Sequence, residues 1–222
     1  AYAHIFGSVS SGASMLMPVE TWGYSYVTLN SKQRYGSSVQ KCFSFAYVIA
    51  KNDSTVVEIT PSVESRTLKP ANTTFTVMLM KGQIYQVVGN LINVSPGDGY
   101  ELSGTKFKSV ANSSGKCYPV AVFAGSSRTV NPAACGNGGG DNDNQQCFPH
   151  QAWGKRYLTA PTSNSATPSV LMTNTFKVAV KDPTTVIRRN GVVLTGLINN
   201  AYYEYVSSTA DIIESDKPVM LA

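Results

Sequence analysis

Charge is scarce in this sequence: Asp, Glu, Lys and Arg together make up 14% of the 222 residues, against roughly 25% in an average soluble protein. Apolar residues stand at an ordinary 42%, which excludes an intrinsically disordered chain and a coiled coil. Long hydrophobic runs are also missing. No window approaches the roughly eighteen apolar residues of a membrane span, and even 42–50 is interrupted by Ser44 and followed by Lys51 and Asp53. No basic, apolar signal stretch opens the chain, so an export signal is expected to have been removed or to lie outside this segment. Clusters of basic residues are absent as well: the net charge of +5 is scattered, with Lys155-Arg156 and Arg188-Arg189 the only adjacent basic pairs. A nucleic-acid binder gathers such charge on one face, and no nucleic-acid partner is expected here.

Helical periodicity is lacking almost throughout. Short runs rich in Val, Ile, Thr, Tyr and Phe recur instead between clusters of Gly, Pro, Asn and Ser. The expected strands are 15–17, 24–29, 42–50, 55–60, 74–80, 84–88, 100–108, 118–124, 157–159, 176–180, 185–188, 192–194, 202–206 and 218–221, with a turn at Lys81-Gly82. The fold class is therefore all-β. Runs 42–50 and 118–124 are apolar at both parities, as central strands covered on both faces would be.

An internal repeat organises these strands. Pro18-x3-Trp22-Gly23-x2-Tyr26-x-Thr28 returns as Pro149-x3-Trp153-Gly154-x2-Tyr157-x-Thr159, always 131 residues on. Lys51, Thr55 and Val56 then match Lys181, Thr185 and Val186 at offset 130, Leu79, Tyr85 and Val88 match Leu197, Tyr203 and Val206 at 118, and Pro119-Val120 matches Pro218-Val219 at 99. Order is kept while the offset falls, so the first copy carries about thirty additional residues, expected at 66–74 and 92–99. Tyr2-Ala3 aligns with Phe123-Ala124, and the chain stops inside the next copy of that strand, so it is expected to be a segment of a longer polypeptide. The expected division is a first, elaborated repeat over 1–121 and a second, shorter one over 122–222. Each would be an antiparallel β-sandwich-like unit, with propeller-like blades of four strands as the alternative.

In order, segments 22–28, 82–85, 102–106, 119–125, 151–159 and 217–221 carry a Trp-Gly-x2-Tyr entrance, a Gly-x2-Tyr turn, a Leu-Ser-Gly-Thr-Lys stretch and a Pro-Val-Ala-Val-Phe-Ala-Gly strand. This ordered combination resembles the IgGFc-binding protein N-terminal domain family, over essentially the whole chain. It looks most like bacterial members found in large secreted cell-surface proteins, often exported by type IX secretion. The resemblance implies an extracellular binding or structural module with no known enzymatic activity. Antibody binding is not carried over, since no Fc-contacting pattern is matched here.

Chemistry-bearing residues are few. The two histidines, His4 and His150, read as surface or turn residues, and no G-x-S-x-G elbow accompanies them. Four cysteines show no zinc spacing, and an oxidised extracellular chain is the economical reading. Cys135 and Cys147 bracket a Gly/Asn/Asp-rich loop, a ring of 13 residues whose closure would remove on the order of 3 kcal/mol of unfolded-state freedom. Cys42 with Cys117 is the second expected bridge, although four cysteines permit three pairings. In the loop 136–144, Asp141 and Asp143 offer oxygen ligands to Ca2+, without the closing glutamate of an EF-hand loop. Trp22, Gly23, Tyr26, Trp153, Gly154 and Tyr157 read as structural anchors of the repeat. Tyr202, Tyr203 and Tyr205 are the candidate surface platform for sugar rings, because at most one parity of their strand can face the core. Sequons begin at Asn52, Asn72, Asn93 and Asn112, and Ser54 lies in a short Asp-Ser-Thr O-glycosylation signal. The expected function is a non-enzymatic cell-surface module for adhesion or surface assembly. Its partners would be other copies or flanking domains of the same protein, or environmental glycans or proteins; glycan binding by exposed aromatics is the alternative.

Overall fold

A computed structural model describes residues 1–7, 10–31, 33, 43–92, 99–129, 141–163 and 167–222. It is all-β and antiparallel throughout, apart from single 3-10 turns at Val19–Thr21 and His150–Ala152. It divides into two compact units, the first built on Ala1–Thr129 with 141–151, the second on Ala152–Ala222.

The first unit opens with the hairpin β1 (Tyr2–Gly7) and β2 (Ser10–Met15), followed by β3 (Ser25–Val27), β4 (Ser44–Ala50) and β5 (Thr55–Thr60). Next come β6 (Phe75–Leu79), β7 (Ile84–Val88), β8 (Lys106–Val110), β9 (Val120–Thr129) and β10 (Asp141–Gln146). They form two four-stranded sheets, β10-β9-β4-β7 and β3-β8-β5-β6, plus the β1-β2 pair. These orders join strands far apart in the chain, which is not the consecutive-strand blade of a propeller. One apolar cluster draws on both four-stranded sheets, through Ala46, Val48, Ala50, Val120, Val122 and Ala124 from one and Tyr26, Val57, Ile59, Leu79 and Phe107 from the other.

The second unit contains β11 (Gly154–Thr159), β12 (Asn174–Val180), β13 (Ile187–Arg189), β14 (Val192–Val193), β15 (Tyr202–Ser207) and β16 (Asp211–Leu221). They make one six-stranded sheet, in which β16 pairs with β11 and β13 through its first half and with β12 through its second. Its core is Val178, Val180, Ile187, Tyr203, Tyr205, Ile213 and Val219.

Ladder registers recur between the units. Tyr26 lies opposite Phe107 and Tyr157 opposite Ile213; Val57 faces Ser109 and Ile187 faces Ser215. Val48 pairs with Tyr85 and Val178 with Tyr203, while Ala50 meets Val120 and Val180 meets Val219. Differences fall in the connections. Residues 61–74 join β5 to β6, whereas Asn190 and Gly191 alone join β13 to β14, at φ 50° and 83°, the two left-handed residues a tight hairpin requires. Residues 89–105 separate β7 from β8, and β8 and β9 are separate strands where β16 runs unbroken.

Two expectations are corrected here. Residues 141–146, expected as a loop, form strand β10; its Asp-Asn-Asp-Asn-Gln-Gln sequence has no strand propensity, and pairing with β9 places it. The strand expected at the boundary, β9, pairs with β4 and β10 and lies wholly in the first unit. In addition, 42–50 is not covered alike on both sides: along β4 buried residues alternate with half-buried ones.

Candidate functional site

The half-buried side of β4 is where chemistry concentrates. Ala46, Val48 and Ala50 point into the core, which leaves Phe45, Tyr47 and Ile49 on the opposite face of the sheet. Tyr47 lies across from Phe123 of β9 on one side and Gln86 of β7 on the other. The rings of Tyr47 and Phe123 stack with centroids 5.0 Å apart and planes within 4°, and Phe45 continues the row 6.1 Å from Tyr47 at 26°. At one end the guanidinium of Arg66 sits 4.3 Å above the ring of Phe43. The Tyr47 hydroxyl and the Asn144 side chain are joined at 3.1 Å, with the Asn144 amide donating. Burial raises the Tyr47 phenol above its ordinary range, partly offset by its bond to Asn144. Sequence reasoning misses this row. The signal exists, in aromatic residues at alternate positions 43, 45 and 47, but apolar residues at both parities of β4 point instead to cover on both sides.

The expected tyrosine platform is corrected. Tyr202, Tyr203 and Tyr205 are only 7–8% exposed. Tyr203 and Tyr205 belong to the core, and Tyr202 lies beneath the Lys177 ammonium, 5.6 Å from its ring centroid. Parity does put Tyr202 on the other face, but a neighbouring lysine covers it.

The repeat anchors form a hydrogen-bonded latch in each unit. The Gly23 N–H donates to the Tyr26 hydroxyl (2.7 Å), which donates to the Val120 carbonyl (2.6 Å). Likewise the Gly154 N–H donates to Tyr157 (2.8 Å), which donates to the Val219 carbonyl (2.7 Å). Gly23 is needed for close approach: a Cβ there would come within 2.4 Å of Pro149 Cβ. At Gly154 the nearest atom would be the Tyr157 hydroxyl at 3.2 Å. Burial pushes the Tyr26 phenol to about 12, so it stays a donor. Trp153 is buried and Trp22 half-buried.

Asp143 lies in β10, where its carboxylate accepts the Ser126 N–H. The backbone of Asp141 is in the same strand, and 136–140 lies outside the described residues. Among the described residues no three His, Cys, Asp or Glu side chains gather as metal ligands would. Cys117 and Cys147 carry free thiols, one exposed and one buried in the first core; Cys42 and Cys135, their expected partners, lie outside the described residues. Burial pushes the Cys147 thiol up to about 12, which makes it an inert core residue. Ser54 occupies a turn at φ 56°, and its carbonyl accepts from the Asn112 amide (3.1 Å). Asn52 lies in a bend and Asn72 in a turn, while Asn93 is outside the described residues.

The family model for IgGFc binding protein matches residues 12–222. The chain belongs to the IgGFc-binding protein family. No curated protein and no solved structure matches it. Membership is at the level of the family as a whole: it does not place the chain among bacterial members or tie it to a secretion system. In this IgGFc-binding family chain, the latch and the shared ladder registers use Gly23, Tyr26, Tyr85, Val120, Gly154, Tyr157 and Val219 from the segments that carried the resemblance. Phe45 and Tyr47 lie outside those segments, whereas Phe123, on which Tyr47 stacks, lies inside 119–125. No helix among the described residues is long and apolar enough to cross a membrane.

Proposed function

We propose that the protein is a non-enzymatic extracellular adhesion module, built from two copies of one β unit, that holds a protein partner by the outward aromatic face of the β10-β9-β4-β7 sheet. The observation that carries this reading is a reversal of aromatic placement. In β4 the core side holds Ala46, Val48 and Ala50 and the outer side Phe45 and Tyr47; in β12 the core side holds Phe176, Val178 and Val180 and the outer side Thr175 and Lys177. Equivalent ladders therefore form without outer aromatics, so packing of the unit does not require them there.

A protein partner is favoured over a glycan. Stacking on a sugar needs an open ring face, and the face Tyr47 turns to Phe123 is already taken, as is its hydroxyl by Asn144. Aromatic rows beside an arginine are what protein interfaces use at their centres. Family membership supports the extracellular setting.

The test is adhesion of beads coated with the chain to beads coated with the same chain and with candidate partner proteins, alongside a glycan array and light scattering with and without chelator. Tyr47→Ala is expected to reduce adhesion by about tenfold, the scale of a hot-spot truncation. Array binding that Tyr47→Ala abolishes would overturn the protein reading in favour of glycans. Loss of adhesion in chelator would bring Asp141 and Asp143 back as calcium ligands.

A further inference from the structure

The connection 61–74 is far longer than joining its two strands demands, since two residues do the same between β13 and β14. It is also tightly held. The Ser65 N–H donates to the Lys69 carbonyl (3.0 Å), the Leu68 N–H to the Ser65 carbonyl (2.9 Å) and the Lys69 N–H to the Ser65 hydroxyl (3.0 Å). The Arg66 N–H donates to the Val88 carbonyl (2.8 Å), which fastens the turn to β7 of the aromatic-bearing sheet.

At the tip of this turn Leu68 has φ 59° and is 71% exposed. Left-handed backbone disfavours leucine and suits glycine, so an apolar side chain is kept in solvent against local preference. Beside it are two cations, each steadied on a ring: Arg66 over Phe43, and Lys69 with its ammonium 5.1 Å from the centroid of Phe75. Neither forms an ion pair among the described residues, and the adjacent Glu64 is engaged by the Asn90 amide at 2.7 Å. A guanidinium held 4.3 Å above a ring, with no ion pair among the described residues, can offer N–H groups to a carboxylate, in the planar two-bond geometry that arginine favours.

We infer that the turn 65–69 and the adjoining aromatic row bind an acidic, extended segment of the protein partner. Arg66 and Lys69 take its carboxylates, and Leu68 with Phe45 and Tyr47 takes its apolar side chains. The inference rests on the aromatic face being the contact surface. A bilayer is the poorer fit, because Leu68 is the one exposed apolar side chain of these three, Phe45 and Tyr47 being half-buried, which is too little to anchor on lipid.

The test is to pan a phage-displayed library of linear peptides against the folded chain, then to titrate the enriched peptides with the parent chain and with Arg66→Glu, Leu68→Ser, Tyr47→Ala and Lys106→Glu. Enriched peptides should combine acidic with apolar residues and weaken as salt rises. Arg66→Glu should weaken them about tenfold and Leu68→Ser about threefold, while Lys106→Glu, an exposed cation on the other sheet, should change little. Peptides that respond to Tyr47→Ala but not to Arg66→Glu or Leu68→Ser would overturn the inference and leave the aromatic face standing. Peptides indifferent to all three would overturn both. No enrichment, with heparin bound instead and lost in Arg66→Glu, would replace the acidic peptide by an anionic polysaccharide. Arg66 and Leu68 are exposed, so their variants are expected to fold, which circular dichroism checks.

Discussion

Tyr47 and Lys177 hold the same place in their respective ladders. Tyr47 faces Gln86 and Phe123, whereas Lys177 faces Glu204 and exchanges backbone bonds with Ala222. Around Tyr47 the outer face is an aromatic row. Around Lys177 it is an ion pair, with nitrogen and carboxylate 3.4 Å apart. Below both, the register and the glycine-tyrosine latch are alike. The difference teaches which features the sheet needs and which it merely carries: the latch is common to both units, the aromatic row is not.

A second contrast lies at the ends of the core strands. At the ladder position of Thr105 in the first unit, the second unit places Asp211, whose side chain is fully buried against Arg189 at 3.1 Å and the Asn190 amide at 2.7 Å. Burial alone would raise that carboxyl. Bonds from Ser207, Arg189 and Asn190, with the Arg189 charge, outweigh burial and hold it below the usual carboxylate range.

The largest effect should come from breaking that pair. Asp211→Ala leaves the Arg189 guanidinium without its partner and is expected to cost about 3 kcal/mol or more in urea denaturation, against about 1 kcal/mol for Thr105→Ala. The parent chain should also lose this contribution in acid. Because the folded pKa is depressed, the stabilisation is complete above the unfolded value near 3.8 and fades as pH falls through the folded one. An acid limb identical in parent and Asp211→Asn would show that the carboxylate is not what holds the second unit.

Next in size is the latch. Tyr26→Phe strands a buried N–H and carbonyl and should cost about 2 kcal/mol; Tyr157→Phe, at a half-buried site that water can reach, about 1 kcal/mol. Tyr26 also has an alkaline signature. The unfolded phenol ionises near 10 and the folded one near 12, so its contribution is full below pH 10 and drains as pH rises toward 12. Equal costs at the two tyrosines would mean that burial does not distinguish the two latches.

The smallest effect concerns charge. Glu58 lies opposite Lys108 with an ion pair of 3.8 Å, and at the matching ladder positions Arg188 lies opposite Glu214, which pairs with Arg156 at 3.4 Å. The sign is reversed, and the ion pair of Glu214 is made with Arg156 on β11 rather than with the facing Arg188 of β13. Exchanging the first pair, with Glu58→Arg and Lys108→Glu together, should change stability by less than about 0.5 kcal/mol, whereas Glu58→Arg alone should cost up to about 1 kcal/mol. A double variant no better than the single one would show that the pairing itself contributes nothing.

Much of the framework is legible in the residues alone. Thr55–Thr60 and Ile84–Val88 are bounded to the residue because Pro61 and the Lys81-Gly82 turn punctuate them. The latch is legible as a spacing, Gly-x2-Tyr, although the carbonyls it reaches, those of Val120 and Val219, are far away in the chain. By contrast β10 and the first half of β16 are not legible. The residues of β10 are all polar and those of β16 there are Ile212 and Ile213 set among acids and a serine; both are strands because neighbours supply hydrogen-bond partners, a non-local term that propensity does not contain.

What the sequence determined by itself is therefore the all-β class and the bounds of strands such as Thr55–Thr60 and Ile84–Val88, because alternation and turn chemistry are local. Tertiary structure alone decided which side of β4 faces away from the core, and so made Phe45 and Tyr47 a half-buried row on that side. It likewise buried Tyr202, Tyr203 and Tyr205, although their strand is correctly expected. Burial depends on what packs against each face of a sheet, and for these strands the covering residues come from other parts of the chain.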